Sequence, residues 1–252
     1  MRSLAGRTVL VTGAARRLGR AIAMALANEG STIVAHFNVS AGDARHLQQE
    51  ILEHGGQCWL VHADLGSAEE VESLVAWAGA AAGRPIDGLV NNAAIFPADT
   101  LASVTMEAMA NCLAVNAWAP LALCRALARQ TAHGCAVNLL DSTIDGYRFT
   151  HVAYQASKHV LALLTRMLAI ELAPGVTVNA VAPGLILPPP GHDENWLADR
   201  ARASVPLARP GKLEEIAEAV VFLLGSEYLT GQTIYVDGGS HLLEPADGPH
   251  PH

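Results

Sequence analysis

Short runs rich in β-branched residues alternate along this chain with longer stretches rich in alanine and leucine, and this alternation limits the fold more than any other feature. The strand-like runs are Thr8–Thr12, Thr32–Phe37, Gln57–His62, Gly88–Asn91, Cys135–Leu140, Val176–Val181 and Thr233–Val236. Between them apolar residues recur at helical spacing, as in Leu18, Ile22, Ala25 and Leu26, in Leu47 and Ile51, and in Leu161, Leu164 and Leu168. Strands joined through helices pair in parallel with right-handed crossovers. Runs that are apolar throughout belong to a sheet covered on both faces. The expectation is an α/β fold: a doubly wound, Rossmann-type parallel sheet with helices on both faces, forming a single domain over residues 1–240. Pro183–Pro206, with its Pro188-Pro189-Pro190-Gly191 run, is too long and proline-rich for an ordinary connection. It suggests a lid at about 184–209 carrying a short helix. Residues 241–252 read as a C-terminal tail.

Composition narrows the class. Of 252 residues 51% are hydrophobic and 16% charged, so the chain has material for a sizeable core and is not a disordered protein. A net charge of −8 and the absence of any basic run argue against a nucleic-acid binder or a protein of anionic membrane surfaces. No apolar run approaches the roughly 18 residues of a membrane span, and the apolar stretch after Thr8 is too short for a signal peptide. Cys58, Cys112, Cys124 and Cys135 lack CxxC spacing and read as small buried hydrophobes in a reducing compartment. A soluble, cytoplasmic protein without a metal site is expected; His250 and His252 belong to a frayed end.

The first strand runs into Thr12-Gly13-Ala14-Ala15-Arg16-Arg17-Leu18-Gly19, and a helix follows at once. A glycine turn there lets the backbone approach a pyrophosphate, while the helix N-terminus supplies N–H donors. A purely structural turn would look much the same. The second strand ends in His36-Phe37-Asn38-Val39-Ser40, where an NAD-binding fold places an acid on the ribose 2′-hydroxyl. No carboxylate is near; the next is Asp43. His36, Asn38 and Ser40 can donate hydrogen bonds and Arg16 can add charge, which suits a 2′-phosphate and points to NADPH.

Tyr154 and Lys158 are four apart, on one face of a predicted helix. A neighbouring ammonium favours phenolate, so the spacing predicts a lowered tyrosine pKa and a usable general acid. With Asp64-Leu65, Asn91-Asn92-Ala93-Ala94, Asn116, Pro183-Gly184 and Asp237-Gly238-Gly239 in order around these motifs, the sequence resembles the short-chain dehydrogenases/reductases from about Arg7 to Ser240. The resemblance implies Tyr154, Lys158 and Asn116 as catalytic, with Asn116 holding a water that relays protons to Lys158. It implies a cofactor lying along Gly13, Arg16, Arg17, Leu18 and Gly19, past His36, Phe37, Asn38 and Ser40. Asp64 and Leu65 would then lie near the adenine, with Asn92, Ala93, Tyr154, Lys158, Pro183, Gly184 and Ile186 along the rest. It also implies a homotetramer built on the helices around Thr105–Arg129 and Val152–Ala173.

Two departures narrow the resemblance. Arg17 stands where the family usually has the middle glycine, and Asp141, 13 residues before Tyr154, where it usually has the catalytic serine. Both look like the pteridine reductases and their dihydromonapterin- and dihydrofolate-reducing relatives, as do His36-Phe37-Asn38-x-Ser40 and Phe96-Pro97. That subgroup implies a pterin held by Arg17, Phe96, Asp141 and Tyr154. The chemistry agrees: an ionised aspartate would repel the oxyanion of a reduced ketone. Asp141 instead suits a ring bearing N–H groups, accepting from them or carrying a proton if burial raises its pKa. The expectation is that Asp141 and Tyr154 are the catalytic pair that delivers protons to ring nitrogens. Three features depart from relatives: Val39 replaces a basic residue, Ala94 a serine, and Pro188 a threonine that contacts the cofactor. A one-residue shift would make Ser142 the donor for a ketone reductase of the same family. A non-catalytic NADPH-binding regulator is the third reading; the intact Asn116, Tyr154 and Lys158 speak against it.

Overall fold

The computed structural model describes residues 2–189 and 191–243. Seven strands form one parallel sheet in the order β3-β2-β1-β4-β5-β6-β7. They are β1 (Thr8–Val11), β2 (Thr32–Phe37), β3 (Gln57–His62), β4 (Gly88–Asn91), β5 (Gly134–Leu139), β6 (Val176–Pro183) and β7 (Thr233–Val236). The helices are α1 (Arg17–Asn28), α2 (Ala41–Glu53), α3 (Ala68–Ala82), α4 (Met106–Leu113), α5 (Ala119–Gln130), α6 (Val152–Glu171), α7 (Glu194–Ser204) and α8 (Leu213–Gly225). The expected single-domain Rossmann-type architecture is present, with small shifts at strand ends. β1 stops before Thr12, whose side chain bonds across the turn, and β6 runs on to Pro183.

Side chains of β1 show why both faces are covered. Val9 and Val11 pack with Ile22 and Leu26 of α1, Leu47 and Ile51 of α2, and Val220 and Leu223 of α8. Leu10, pointing the other way, packs with Leu74 of α3, Leu123 and Leu127 of α5, and Leu168 of α6. The four cysteines are buried and free. Between α4 and α5 the chain makes one π turn, Ala114–Trp118, which carries Asn116 inward. The expected tail falls mostly at residues 244–252, outside the described residues, as do His250 and His252. Among the described residues, no helix is long and apolar enough to cross a membrane.

Candidate active site

The strand order reverses between β1 and β4, where open α/β sheets bind ligands at the carboxyl edge. Thr12 Oγ1 donates to the Val90 carbonyl at 3.3 Å and accepts from the N–H groups of Asn92 and Ala93 at 3.0 and 3.1 Å. The Asn92 amide donates to the carbonyls of Thr12 and Gly13 at 2.9 and 3.1 Å. The side chain of Asn92 thus holds the turn itself. Gly13 has φ +62°, and a Cβ on Gly19 would collide with the Gly13 carbonyl, so neither position has room for a side chain without moving the turn. α1 then starts with no side-chain cap and no acid in its first turn, whereas α3, α4 and α7 are capped by Ser67, Thr105 and Asp193. Open N–H groups beside two closely packed glycines fit a dinucleotide pyrophosphate.

Arg17 adopts φ +49°, in the left-handed region that favours glycine. Its guanidinium donates to the Pro188 carbonyl at 3.3 Å, tying the turn to the segment after β6. Gly184 is pressed so closely on Asp237 that a Cβ would clash, and Ile186 and Leu18 pack against the core below. Leu65 is buried behind β3.

At the end of β2 the structure corrects two expectations. His36 is buried, its Nδ1 accepting from the Gly13 N–H at 3.1 Å and its Nε2–H donating to the Ala63 carbonyl at 3.0 Å. Burial pushes its pKa down to about 4. A neutral ring with both nitrogens engaged braces the glycine turn and has no donor left for a phosphate. The region is not free of carboxylates either: α2 turns back after Ser40 and brings Asp43 to Arg16, 2.5 Å away. The Asn38 amide donates to Asp64 at 3.3 Å, and Phe37 meets the edge of His62.

Across the switch point, Asp141 and Tyr154 come together, the phenol donating to Asp141 Oδ2 at 3.1 Å. Asp141 caps the short 3-10 turn Ser142–Asp145, its Oδ1 accepting from Thr143 N and Thr143 Oγ1 at 2.9 and 2.7 Å. Three donors therefore converge on one carboxylate. Ser142 is buried next door, and no hydrogen bond joins it to Tyr154 among the described residues. Burial, then the charge of Asp141 and the hydrogen bond to it, hold the Tyr154 phenol well above its ordinary pKa. The expected lowering by Lys158 is thus overturned: Asp141 is in contact, whereas the Lys158 ammonium lies 5.6 Å from the ring centre and donates to the Leu139 carbonyl at 2.6 Å. Burial brings the Lys158 pKa down to about 8, with Asp141 pulling it back up.

The fully buried Asn116 amide accepts from Ile95 N–H at 2.9 Å and donates to the Ile95 carbonyl and Ser157 Oγ at 3.0 Å each. It fixes the residue before Phe96 and makes no direct bond to Lys158. Phe96 stands beside the pair, its ring edge-to-face with Tyr154 at 4.6 Å and stacked at 3.8 Å on His151. Sequence reasoning gave no role to Thr143 or His151. The i, i+2 spacing from Asp141, typical of aspartate turns, could have found Thr143; His151 carries no comparable signal.

The family model described as enoyl-(acyl carrier protein) reductase matches residues 13–241. The chain belongs to the short-chain dehydrogenase/reductase family. A 3-oxoacyl-[acyl-carrier-protein] reductase of Synechocystis is 34% identical over 246 residues, covering 95% of this chain and 98% of the relative. The alternative dihydrofolate reductase FolM of Brucella canis, solved with NADP, superposes with a TM-score of 0.91 at 32% identity, over 99% of this chain and 100% of that one. A blue fluorescent protein from a metagenomic library, solved with NADPH, gives a TM-score of 0.86 at 33% identity, over 95% and 99%. The chain is an oxidoreductase of that family.

Proposed function

We propose that the chain is an NADPH-dependent reductase of a pterin or dihydrofolate-type ring. The observation that carries this reading is the Asp141 carboxylate in hydrogen-bond contact with the Tyr154 phenol, where a ketone reductase needs a hydroxyl donor. A carboxylate facing a developing alkoxide would raise the barrier. Facing a ring with N–H groups, it accepts from them and orients the C=N bond. Bound NADPH supplies the hydride. Tyr154, kept protonated by burial and by Asp141, gives its proton to the ring nitrogen, so that C=N becomes CH–NH. The nearby Lys158 ammonium offsets the negative charge left on the phenol. Arg16, the open end of α1 and the glycine turn would hold the cofactor. The segment 184–209, linked through Pro188 to Arg17 and bearing α7, would cover the substrate.

The names of the two NADP(H)-bound neighbours support the cofactor, and that of the Brucella canis protein supports the substrate class. The Synechocystis relative favours a second reading, a ketone reductase in which Ser142 donates. Val160, Leu163, Met167 and Ile170 form an exposed apolar stripe on α6, consistent with a homotetramer packed on that helix. Four buried free cysteines suit a cytoplasmic setting. NADPH oxidation with a dihydropterin, dihydrofolate and a ketone panel, run on wild type and Asp141→Ser, tests the reading. Turnover confined to the ring substrates, falling roughly 100-fold in Asp141→Ser, is expected. Turnover confined to ketones would overturn it.

A further inference from the structure

Phe96 is half exposed, at 51%, beside the Asp141–Tyr154 pair. Asn116 pins the backbone of Ile95 but leaves the next ring free to turn. What fixes that ring is His151. Its imidazole lies 3.8 Å from Phe96 at an interplanar angle of 16°, covering one face, while Tyr154 meets Phe96 at 85°. The imidazole is itself held: Nδ1–H donates to the Pro97 carbonyl at 2.7 Å, and the His151 N–H donates to the Asp99 carbonyl at 2.7 Å. The residue sits at φ +57°, a region where histidine, asparagine and aspartate are enriched and bulky residues are strained.

We infer that His151 is a positioning residue for substrate: backed by its imidazole, Phe96 presents its other face as a fixed platform for a planar ring. Three properties meet at position 151, namely tolerance of positive φ, a donor to Pro97 and a flat surface against Phe96. A purely structural residue would need only the first two. This inference rests on the reading that a planar ring enters beside Tyr154.

His151→Asn separates the properties, because asparagine keeps the backbone angle and the donor and removes the flat surface. With the best substrate of the panel, His151→Asn is expected to raise KM about 2- to 10-fold, the range of one aromatic pair. Its kcat and NADPH affinity should stay at wild-type values. In a Phe96→Ala background the same change should have no further effect, since its action runs through Phe96. An unchanged KM, or effects of the two substitutions that multiply, would overturn the inference. If wild type reduces only ketones, the pterin reading fails while the cycle is still read on the ketone KM.

Discussion

Around the glycine turn nearly every polar side chain is engaged by another part of the protein: His36 by Gly13 and Ala63, Asn92 by Thr12 and Gly13, Thr12 by β4. Around Phe96 the contacts are aromatic faces and edges with a few backbone bonds. On the proposed reading the first neighbourhood is pre-shaped for one invariant group, a pyrophosphate. The second can be re-tuned one side chain at a time without disturbing the sheet. Damage to the first should therefore appear in cofactor affinity and stability, and damage to the second in turnover and substrate selectivity.

The sharpest way to break that contrast is Tyr154→Phe. Loss of the proton donor should lower kcat by about 100- to 10,000-fold, with NADPH affinity, read by fluorescence titration, nearly unchanged. An equal loss of affinity would show the two halves are not separable. Gly19→Ala should do the reverse. Its Cβ meets the Gly13 carbonyl and the Asn92 amide, so NADPH affinity should fall by about tenfold or more, roughly 1.4 kcal/mol.

Two pH effects sharpen the comparison further. His36 has a folded-state pKa of about 4 against 6.5 when unfolded, so only the unfolded chain takes up the proton between these values. Its contribution to stability is complete above pH 6.5 and is lost as pH falls toward 4, by roughly 3 kcal/mol. His36→Gln, neutral throughout, should flatten that part of the acid limb in chemical denaturation. Lys158 acts on the other side. In the folded protein its charge is lost as pH rises through about 8, so kcat/KM should fall along an alkaline limb near that pH. Between 8 and 10.5 the unfolded chain binds more protons, so the contribution of this group to stability rises over the window where activity declines.

The sheet and its order of elements were legible because apolar periodicity and parallel crossovers leave few alternatives. Gly13, Gly19, Asp141 and Tyr154 were legible because backbone space and proton chemistry restrict those positions to few residue types. The bracing role of His36 was not, since its partners, Gly13 and Ala63, are distant in sequence and meet only through the β1–β2–β3 register. The direction of the Tyr154 shift was misread for a related reason. Spacing along one helix reveals Lys158, but the phenol is governed first by its burial and then by the carboxylate of Asp141, which arrives just past the end of β5. Asp43 was read as too far along the chain to matter because the reversal at the start of α2, which brings it back to Arg16, leaves no mark in the spacing.

The link from Arg17 to the Pro188 carbonyl has a kinetic consequence. If the glycine turn holds the dinucleotide and the segment after β6 covers the substrate, as proposed above, one residue joins the two, and entry and exit on the two sides should be coupled. The expected outcome is compulsory order. The dinucleotide should arrive first and depart last, and oxidised cofactor should inhibit competitively against NADPH but not against the second substrate. Severing the link with Arg17→Ala should let the two arrive in either sequence.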